Sequence, residues 1–407
     1  MRAKMRAHML EALINGRVLC DEGWITDRVV LIDAGCILDI VSLDDPRCSS
    51  AMKRDLNGQL LLPGFVDIQV NGGGGVMFND EPSTATIRTM AAAHRRYGTT
   101  SLLPTLISDE LAMVSRAIAS VEEAMAANVP GVIGIHVEGP FLNKLKKGTH
   151  DENKFRALDS DAVALLSSLK AGRTLVTLAP EMTSPALIAS LAAKGVVIAA
   201  GHTNATFAQM ENALRHGVTG FTHLFNAMSP MTSREPGVVG AALMDENSWC
   251  GIIVDGHHVS ATMLKLALRC KRHDHFMLVT DAMANVGTTQ DWFMLQGKRI
   301  NVRGGRCVDE AGTLSGSALD MASAVRNAVV MLGIELAEAV RMASTYPAQF
   351  LGLGHELGRI APGYRANFVL VDDQMSVVDT WIDGMSTESV GAGVTVSPTG
   401  ASILRAR

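Results

Sequence analysis

The chain has 407 residues, of which 47% are hydrophobic and 19% charged, and its formal net charge is −5. That length exceeds what one hydrophobic core usually fills, and the composition belongs to a globular protein rather than a disordered one. The mild negative charge argues against a general nucleic-acid binder while leaving room for a local anion pocket.

Six cysteines, Cys20, Cys36, Cys48, Cys250, Cys270 and Cys307, form no CxxC pair and sit beside no His at zinc-finger spacing. They read as buried thiols in a reducing compartment. The 22 methionines read as core filler. The basic opening MRAKMRAH is not followed by the apolar stretch of a signal peptide. No apolar run approaches the ~20 residues of a membrane helix. The expectation is a cytoplasmic protein without a membrane or nucleic-acid partner.

In chain order, residues 9–60 hold short alternating strands such as Arg17–Cys20 and Arg28–Ile32, with a turn at Asp33–Gly35. After residue 60 the period changes. Short apolar runs alternate with segments of helical period, as repeated βα units do. Eight such runs are expected as strands: Leu62–Val70, Thr99–Pro104, Val132–Glu138, Leu175–Ala179, Val196–Ala200, Gly220–His223, Gly251–Val254 and Phe276–Thr280. Between them the spacing predicts helices over Ser83–Tyr97, Asp109–Ala127, Ser160–Lys170, Ser184–Lys194, Thr206–His216 and Ser260–Lys271. Ser83, Asp109, Ser160, Ser184 and Ser260 stand where N-caps belong. Gly237–Leu243, between runs six and seven, is short and glycine-rich and the weakest unit. Residues 355–384 return to alternating strands, in Gly358–Ile360, Ala366–Val371 and Val377–Ile382.

Eight parallel runs with crossover helices favour an α/β fold closed as a (β/α)8 TIM-like barrel over a doubly wound open sheet. The flanking segments are expected to pair into one small β-sandwich. The resulting division is 1–60 with 356–385 as the sandwich, 61–355 as the catalytic barrel, and 386–407, rich in Ser, Thr and Gly, as a loose tail.

In such barrels the reacting groups sit at the C-terminal ends of the strands. Polar residues fall there run after run: Asp67, Gln69 and Asn71; His136 and Glu138; His202 and Asn204; Thr222, His223 and Asn226; Asp255, His257 and His258; Thr280 and Asp281. Glu138, His202 and His223 supply two imidazoles and a carboxylate, a donor set that suits a catalytic divalent metal with one position left for water. A bound metal lowers the pKa of its water towards ~7, and Asp281 would take that proton and pass it to the leaving group. One such His alone is more often a hydrogen-bonded core group than a ligand; the set of three is not. His136 shares a face with Glu138 and reads as a support to it. His94, His216, His273, His275 and His355 lie in predicted helices or loops and carry no assignment.

The loop after run three holds Lys144, Lys146 and Lys147, by default a solvated run, and then His150 after a Gly-Thr turn, placed to polarise a substrate carbonyl. Arg234, on the loop Met228–Pro236, suits a phosphate, or else an ion pair with Glu235. Gly72–Gly75 lacks the Gly-Lys-Ser/Thr ending of a phosphate loop and reads as a tight turn.

These motifs together resemble the N-acetylglucosamine-6-phosphate deacetylases of the amidohydrolase superfamily. The match runs from Pro63-Gly-Phe-Val-Asp67 to about Gly363. It is carried by His136-Val-Glu-Gly-Pro140, Lys147-Gly-Thr-His150, Gly201-His-Thr-Asn-Ala205, Thr222-His-Leu-Phe-Asn-Ala-Met228, Arg234-Glu-Pro-Gly237, Asp255-Gly-His-His-Val259, Thr280-Asp-Ala282 and Leu314-Ser-Gly-Ser317. The resemblance implies metal ligation by Glu138, His202 and His223, acid/base catalysis by Asp281 and contact of His150 with the acetamide carbonyl. It implies sugar and phosphate contacts from Thr149, Asn226, Ala227, Arg234, His258 and the backbone of Leu314, Ser315 and Gly316. It further implies a homodimer in which Arg234 reaches the neighbouring subunit's substrate, and zinc as cofactor, with iron in some relatives.

One departure from the wider superfamily is visible. Where many members carry His-x-His after strand one to hold a second metal, this chain has Gln69-Val-Asn71, and an amide is a poor ligand beside imidazole. One metal per subunit is therefore expected, with Gln69 touching it through water. The competing readings are the same chemistry on N-acetylgalactosamine 6-phosphate, another amidohydrolase such as a cyclic-amide hydrolase or deaminase, and a barrel without catalysis that serves as a scaffold.

Overall fold

The structure, a computed structural model, describes residues 10–387. Eight parallel strands form its centre: β1 (Phe65–Val70), β2 (Thr99–Ile107), β3 (Gly134–Glu138), β4 (Arg173–Leu178), β5 (Val197–Ala200), β6 (Gly220–Phe221), β7 (Trp249–Ile252) and β8 (Phe276–Leu278). Each pairs in parallel with the next. The circle closes where β1 meets the segment after β8. A parallel bridge joins Val70 to Ala282, and Asp281 N donates to Gln69 O at 3.0 Å. The strands are buried almost throughout, as expected of a sheet covered by helices outside and filled by side chains inside.

The expected crossover helices are present, over Thr84–Arg95, Leu111–Ala126, Ser160–Leu166, Pro185–Ala193, Phe207–Arg215 and Ala261–Cys270. Ser83, Ser184 and Ser260 each accept a hydrogen bond from a first-turn amide, as caps should. Two expected caps are displaced. Asp159, not Ser160, caps the helix between β3 and β4 by accepting from Ala162 N at 2.9 Å. Glu110, not Asp109, stands at the start of Leu111–Ala126 and makes no side-chain cap. The doubtful segment forms a helix, Gly237–Met244, buried for most of its length.

The first expected strand divides in two. Leu60–Pro63 joins a six-stranded sheet, and only Phe65–Val70 enters the barrel. Gly64 sits between them. A Cβ there would lie 2.3 Å from the Thr100 side chain on the neighbouring strand, so the crossing from sheet to barrel needs a glycine. In the six-stranded sheet Leu60–Pro63 pairs antiparallel with Phe368–Val371, which brings the two ends of the chain together. A four-stranded sheet of Glu11–Ile14, Val29–Asp33, Cys36–Val41 and Met52–Asp55 packs on it through Leu13, Ile32, Ile37, Leu61, Phe368 and Trp381.

Three further expectations are corrected. Gly358–Ile360 is no strand. Gly358 has φ +85°, which breaks an extended run, and its carbonyl accepts from Thr345 Oγ1. Cys36 and Cys270 are exposed, while Cys20, Cys48, Cys250 and Cys307 are buried. Residues 386–407 do not begin as tail, because Met385–Ser386 pairs with Trp381 and Ile382; the remainder of the expected tail, from 388 on, lies outside the described residues.

The largest omission lies after β8. Residues 292–317 form a four-stranded antiparallel sheet, β9 (Trp292–Leu295), β10 (Lys298–Arg303), β11 (Arg306–Val308) and β12 (Leu314–Ser317). Its hairpins turn on Gln296-Gly297 and Gly304-Gly305, all four with positive φ. That is the two-residue turn whose twist suits paired strands, and Gly-Gly between alternating runs is a readable sign of it.

Candidate active site

The strand ends place the polar residues around one cavity of ≈ 200 Å³ at the barrel mouth. Glu138, His202, His223, Asp281, His150, Thr149, Asn226, Ala227, His258, Leu314 and Gly316 all line it. His202, His223, Ala227 and Asp281 have φ of +49°, +33°, +50° and +53°. Left-handed backbone at residues other than glycine costs roughly 1–3 kcal/mol each and persists only where the surroundings enforce it. Its concentration at these strand ends marks the place where the fold gives up stability for geometry.

Three donor atoms form a tight triangle. Glu138 Oε1 lies 3.2 Å from His202 Nε2 and 3.0 Å from His223 Nε2, and the two nitrogens are 3.1 Å apart. All three residues are buried, and together they form a group able to hold a metal ion. A tetrahedral ion with bonds of about 2.0–2.1 Å wants donors about 3.3 Å apart, close to these separations. Two imidazole nitrogens facing each other at this range also repel unless a proton or a cation lies between them.

The surroundings fix the tautomers. His202 Nδ1 lies 2.8 Å from Lys146 O. A carbonyl only accepts, so Nδ1 carries the hydrogen and the Nε2 lone pair faces the triangle. At His150 the opposite holds. Ser108 N–H donates to Nδ1 at 3.3 Å and Ser108 Oγ lies 2.8 Å from it. A backbone amide only donates, so Nδ1 is bare and Nε2 carries the hydrogen. Burial, together with neighbouring His202, pushes the His150 pKa well down, so the ring is a neutral donor. Burial would raise Glu138, but its contacts with the His202 and His223 imidazoles outweigh that and hold the carboxylate well below its usual range. Burial penalises a charged His223, yet the Glu138 carboxylate holds its pKa above the ordinary value.

Asp281 is buried beside the triangle. Its pKa is pushed up to about 6, by burial first and then by the Glu138 charge. Its Oδ1 accepts from Asn71 Nδ2 at 2.6 Å and Gln69 Nε2 at 3.2 Å. Gln69 also donates to both Glu138 oxygens at 3.3 Å, so its amide directly bridges the two carboxyl groups. Below, Asp67 is pushed up to about 7 by burial and hydrogen-bonds the Thr280 hydroxyl across the barrel seam. His136 forms part of the floor. Its Nε2 lies 2.8 Å from Thr177 Oγ1, and burial takes its pKa down to about 4.

Two expected contacts fall elsewhere. Ser315 is buried, and its Oγ bonds Thr149 Oγ1 at 3.0 Å, so among its atoms only the main chain is free to meet a ligand. Arg234 is exposed and does not line the cavity, and among the described residues it has no ion-pair partner. The alternative pairing with Glu235 is not made; Glu235 instead accepts from Phe207 N and Gly237 N. Of the two adjacent histidines, His258 lines the cavity while His257 is exposed. His258 Nδ1 is held at 2.6 Å by Asp255 Oδ2.

Sequence reasoning passed over Ser108, the Lys146 carbonyl and Asn71 as supports, and Ile107, Met283 and Thr313 as lining. Asn71 alone carried a sign, standing two residues after Gln69 at a strand end. A tautomer-fixing carbonyl carries no residue-type signal.

The amidohydrolase family model matches residues 60–387. The N-acetylgalactosamine-6-phosphate deacetylase of Shewanella sp. (strain ANA-3) is 45% identical over 81% of this chain and 83% of its own. The N-acetylglucosamine-6-phosphate deacetylase of Haemophilus influenzae is 34% identical over 94% of this chain and 100% of its own. Among solved structures, the N-acetylglucosamine-6-phosphate deacetylase from Pasteurella multocida superposes with a TM-score of 0.90 at 36% identity, covering 93% of this chain and 100% of that one. The chain is thus a member of the amidohydrolase family, within the group of N-acetylglucosamine- and N-acetylgalactosamine-6-phosphate deacetylases.

Proposed function

We propose that the chain hydrolyses the acetamide of N-acetylglucosamine 6-phosphate, releasing acetate and glucosamine 6-phosphate, in the cytoplasmic breakdown of amino sugars. The observation that carries this reading is the single cavity shared by the Glu138–His202–His223 triangle, the carboxyl of Asp281 and the Nε2–H of His150. We assign the triangle one zinc ion per subunit, with ferrous iron as the alternative. Such an ion polarises a carbonyl and brings the pKa of a bound water to about 7.

The remaining steps belong to side chains. His150 donates its Nε2–H to the acetamide oxygen and favours the charge that develops there. Asp281 is restrained at Oδ1 by Asn71 and Gln69, which leaves Oδ2 to take the proton of the attacking water. As the C–N bond breaks, its electron pair stays on nitrogen and Asp281 returns the proton to it. Thr149, Asn226, Ala227, His258 and the main chain of Leu314, Ser315 and Gly316 hold the sugar phosphate. Ala227 can do so only through its backbone. Arg234, turned to solvent in the single chain, reaches the phosphate bound by the neighbouring subunit of a homodimer.

The galactosamine epimer is a second reading, favoured by the 45% identity to the Shewanella enzyme. The test is acetate release from both 6-phosphates and from unphosphorylated N-acetylglucosamine, on protein of measured metal content. Faster release from the glucosamine phosphate supports the proposal. Preference for the epimer keeps the chemistry and changes the substrate, and no release from any of the three refutes both.

A further inference from the structure

Strand β4 contributes no residue to the cavity, yet the turn that follows it ties together two segments of the cavity wall. Glu181 lies in the helical turn Pro180–Met182 directly after β4. Its Oε1 accepts from Asn204 N at 2.7 Å and from Asn143 Nδ2 at 2.8 Å, and its Oε2 accepts from Thr203 Oγ1 at 2.5 Å. Thr203 and Asn204 immediately follow His202. Asn143 opens the loop that returns to His202 twice, through Asn143 N to His202 O at 3.0 Å and through Lys146 O to His202 Nδ1 at 2.8 Å. The same loop continues into Thr149 and His150.

One half-buried carboxyl group therefore grips both segments that orient His202, a residue whose backbone is held at φ +49°. Hydrogen bonds to an acidic group are roughly twice as strong as neutral ones, and three converge here. Without them the left-handed turn at His202 has less to enforce it. The Lys146 carbonyl that fixes the His202 tautomer also loses its anchor.

We propose that Glu181 is a positioning residue for the metal site, locking the His202 turn to the 143–150 loop and so setting the affinity of the site for its ion and the placement of His150. This rests on the reading of Glu138, His202 and His223 as metal ligands. Loss of a partner that orients a metal-bound His typically weakens affinity about 10–100-fold.

The test is zinc titration of metal-stripped protein against a chromophoric chelator, with the melting temperature of the metal-free protein followed in parallel. Glu181→Ala is expected to raise the zinc Kd by about 10–100-fold. Glu181→Gln, which keeps a carbonyl for Asn143 and Asn204, loses less. Gly64→Ala serves as control, since it disturbs the fold away from the site and leaves zinc affinity unchanged. A zinc Kd for Glu181→Ala within twofold of wild type overturns the proposal, as does a loss equalled by Gly64→Ala. If Glu181→Ala does not fold, Glu181→Gln decides on the same criteria. Wild-type protein that binds no zinc refutes the metal reading itself. Wild-type protein that binds zinc but releases no acetate refutes the deacetylase reading while leaving the role of Glu181 supported by its own result.

Discussion

Replacing Asp281 with Asn separates catalysis from stability in one residue. The two side chains have the same shape, and an amide oxygen can accept the same bonds from Asn71 and Gln69 that Asp281 Oδ1 accepts now. Turnover needs a group that takes up and returns a proton, so kcat should fall by at least about 10²–10⁴-fold. Stability should move the other way in metal-stripped protein. The carboxyl is shifted from an ordinary value of 3.8 to about 6, and each unit is worth about 1.4 kcal/mol, so ionising it in the folded state costs about 3 kcal/mol. Because the folded value is the raised one, the carboxyl's stabilising contribution is complete below about pH 4 and is lost as pH rises through about 6. The uncharged amide of Asp281→Asn escapes that loss. The variant should therefore gain about 3 kcal/mol at pH 8 but only about 1 kcal/mol at pH 4.5. For a chain of this length, that is a rise in melting temperature of about 3–4 °C at pH 8 and about 1 °C at pH 4.5. Acetate release and thermal melting of chelator-treated protein at the two pH values measure both effects. Turnover within tenfold of wild type refutes the assigned role, and melting lowered equally at both pH values refutes the electrostatic argument.

Zinc affinity should rise with pH, because the raised pKa of His223 means a proton must leave before the ion can bind; the slope approaches one decade per pH unit on the acid side, and a flat profile between pH 6 and 8 in chelator competition would contradict it. Ser108→Ala removes the hydroxyl 2.8 Å from His150 Nδ1 while keeping the backbone amide, and the loss of about 1 kcal/mol of orientation should lower kcat/KM by about 5–10-fold in steady-state assays; an unchanged value would refute the part of the hydroxyl in orienting the ring. Gly64→Ala sets a Cβ 2.3 Å from Thr100 and should cost about 1–3 kcal/mol, read as a lower denaturant midpoint; no change would show that the junction can yield. Of the six thiols, Cys36 and Cys270 should react with a thiol reagent in the native protein at pH 8, while Cys250 and Cys307, pushed up to about 12 by burial, react only on unfolding; four or more fast thiols would contradict the packing.

That Glu138, His202, His223 and Asp281 would meet at one cavity was legible because two signals agreed on them. The βα rhythm located the strand ends, and metal-ligating residue types recurred at those ends. The sandwich was legible for a similar reason, since alternating strands flanked the barrel rhythm on both sides. What escaped had no periodic signature. The sheet over residues 292–317 interrupts the rhythm at its last unit, and only its Gln-Gly and Gly-Gly turns announced it.

By itself the sequence determined which residues could do chemistry and on which elements they stand, because periodicity and residue type are local properties of the chain. The tertiary structure alone decided how those residues are held. The Ser108 amide, just past the end of β2, sets the His150 tautomer across 42 positions, and Lys146 O sets that of His202 across 56. Gln69 bridges Glu138 and Asp281 over separations of 69 and 212 positions. The Gln69–Asp281 contact arises from barrel closure, which brings the ends of the first and last strands together, and the others arise where loops from different strands meet at the barrel mouth; no local pattern encodes a pairing that exists only once the chain is folded.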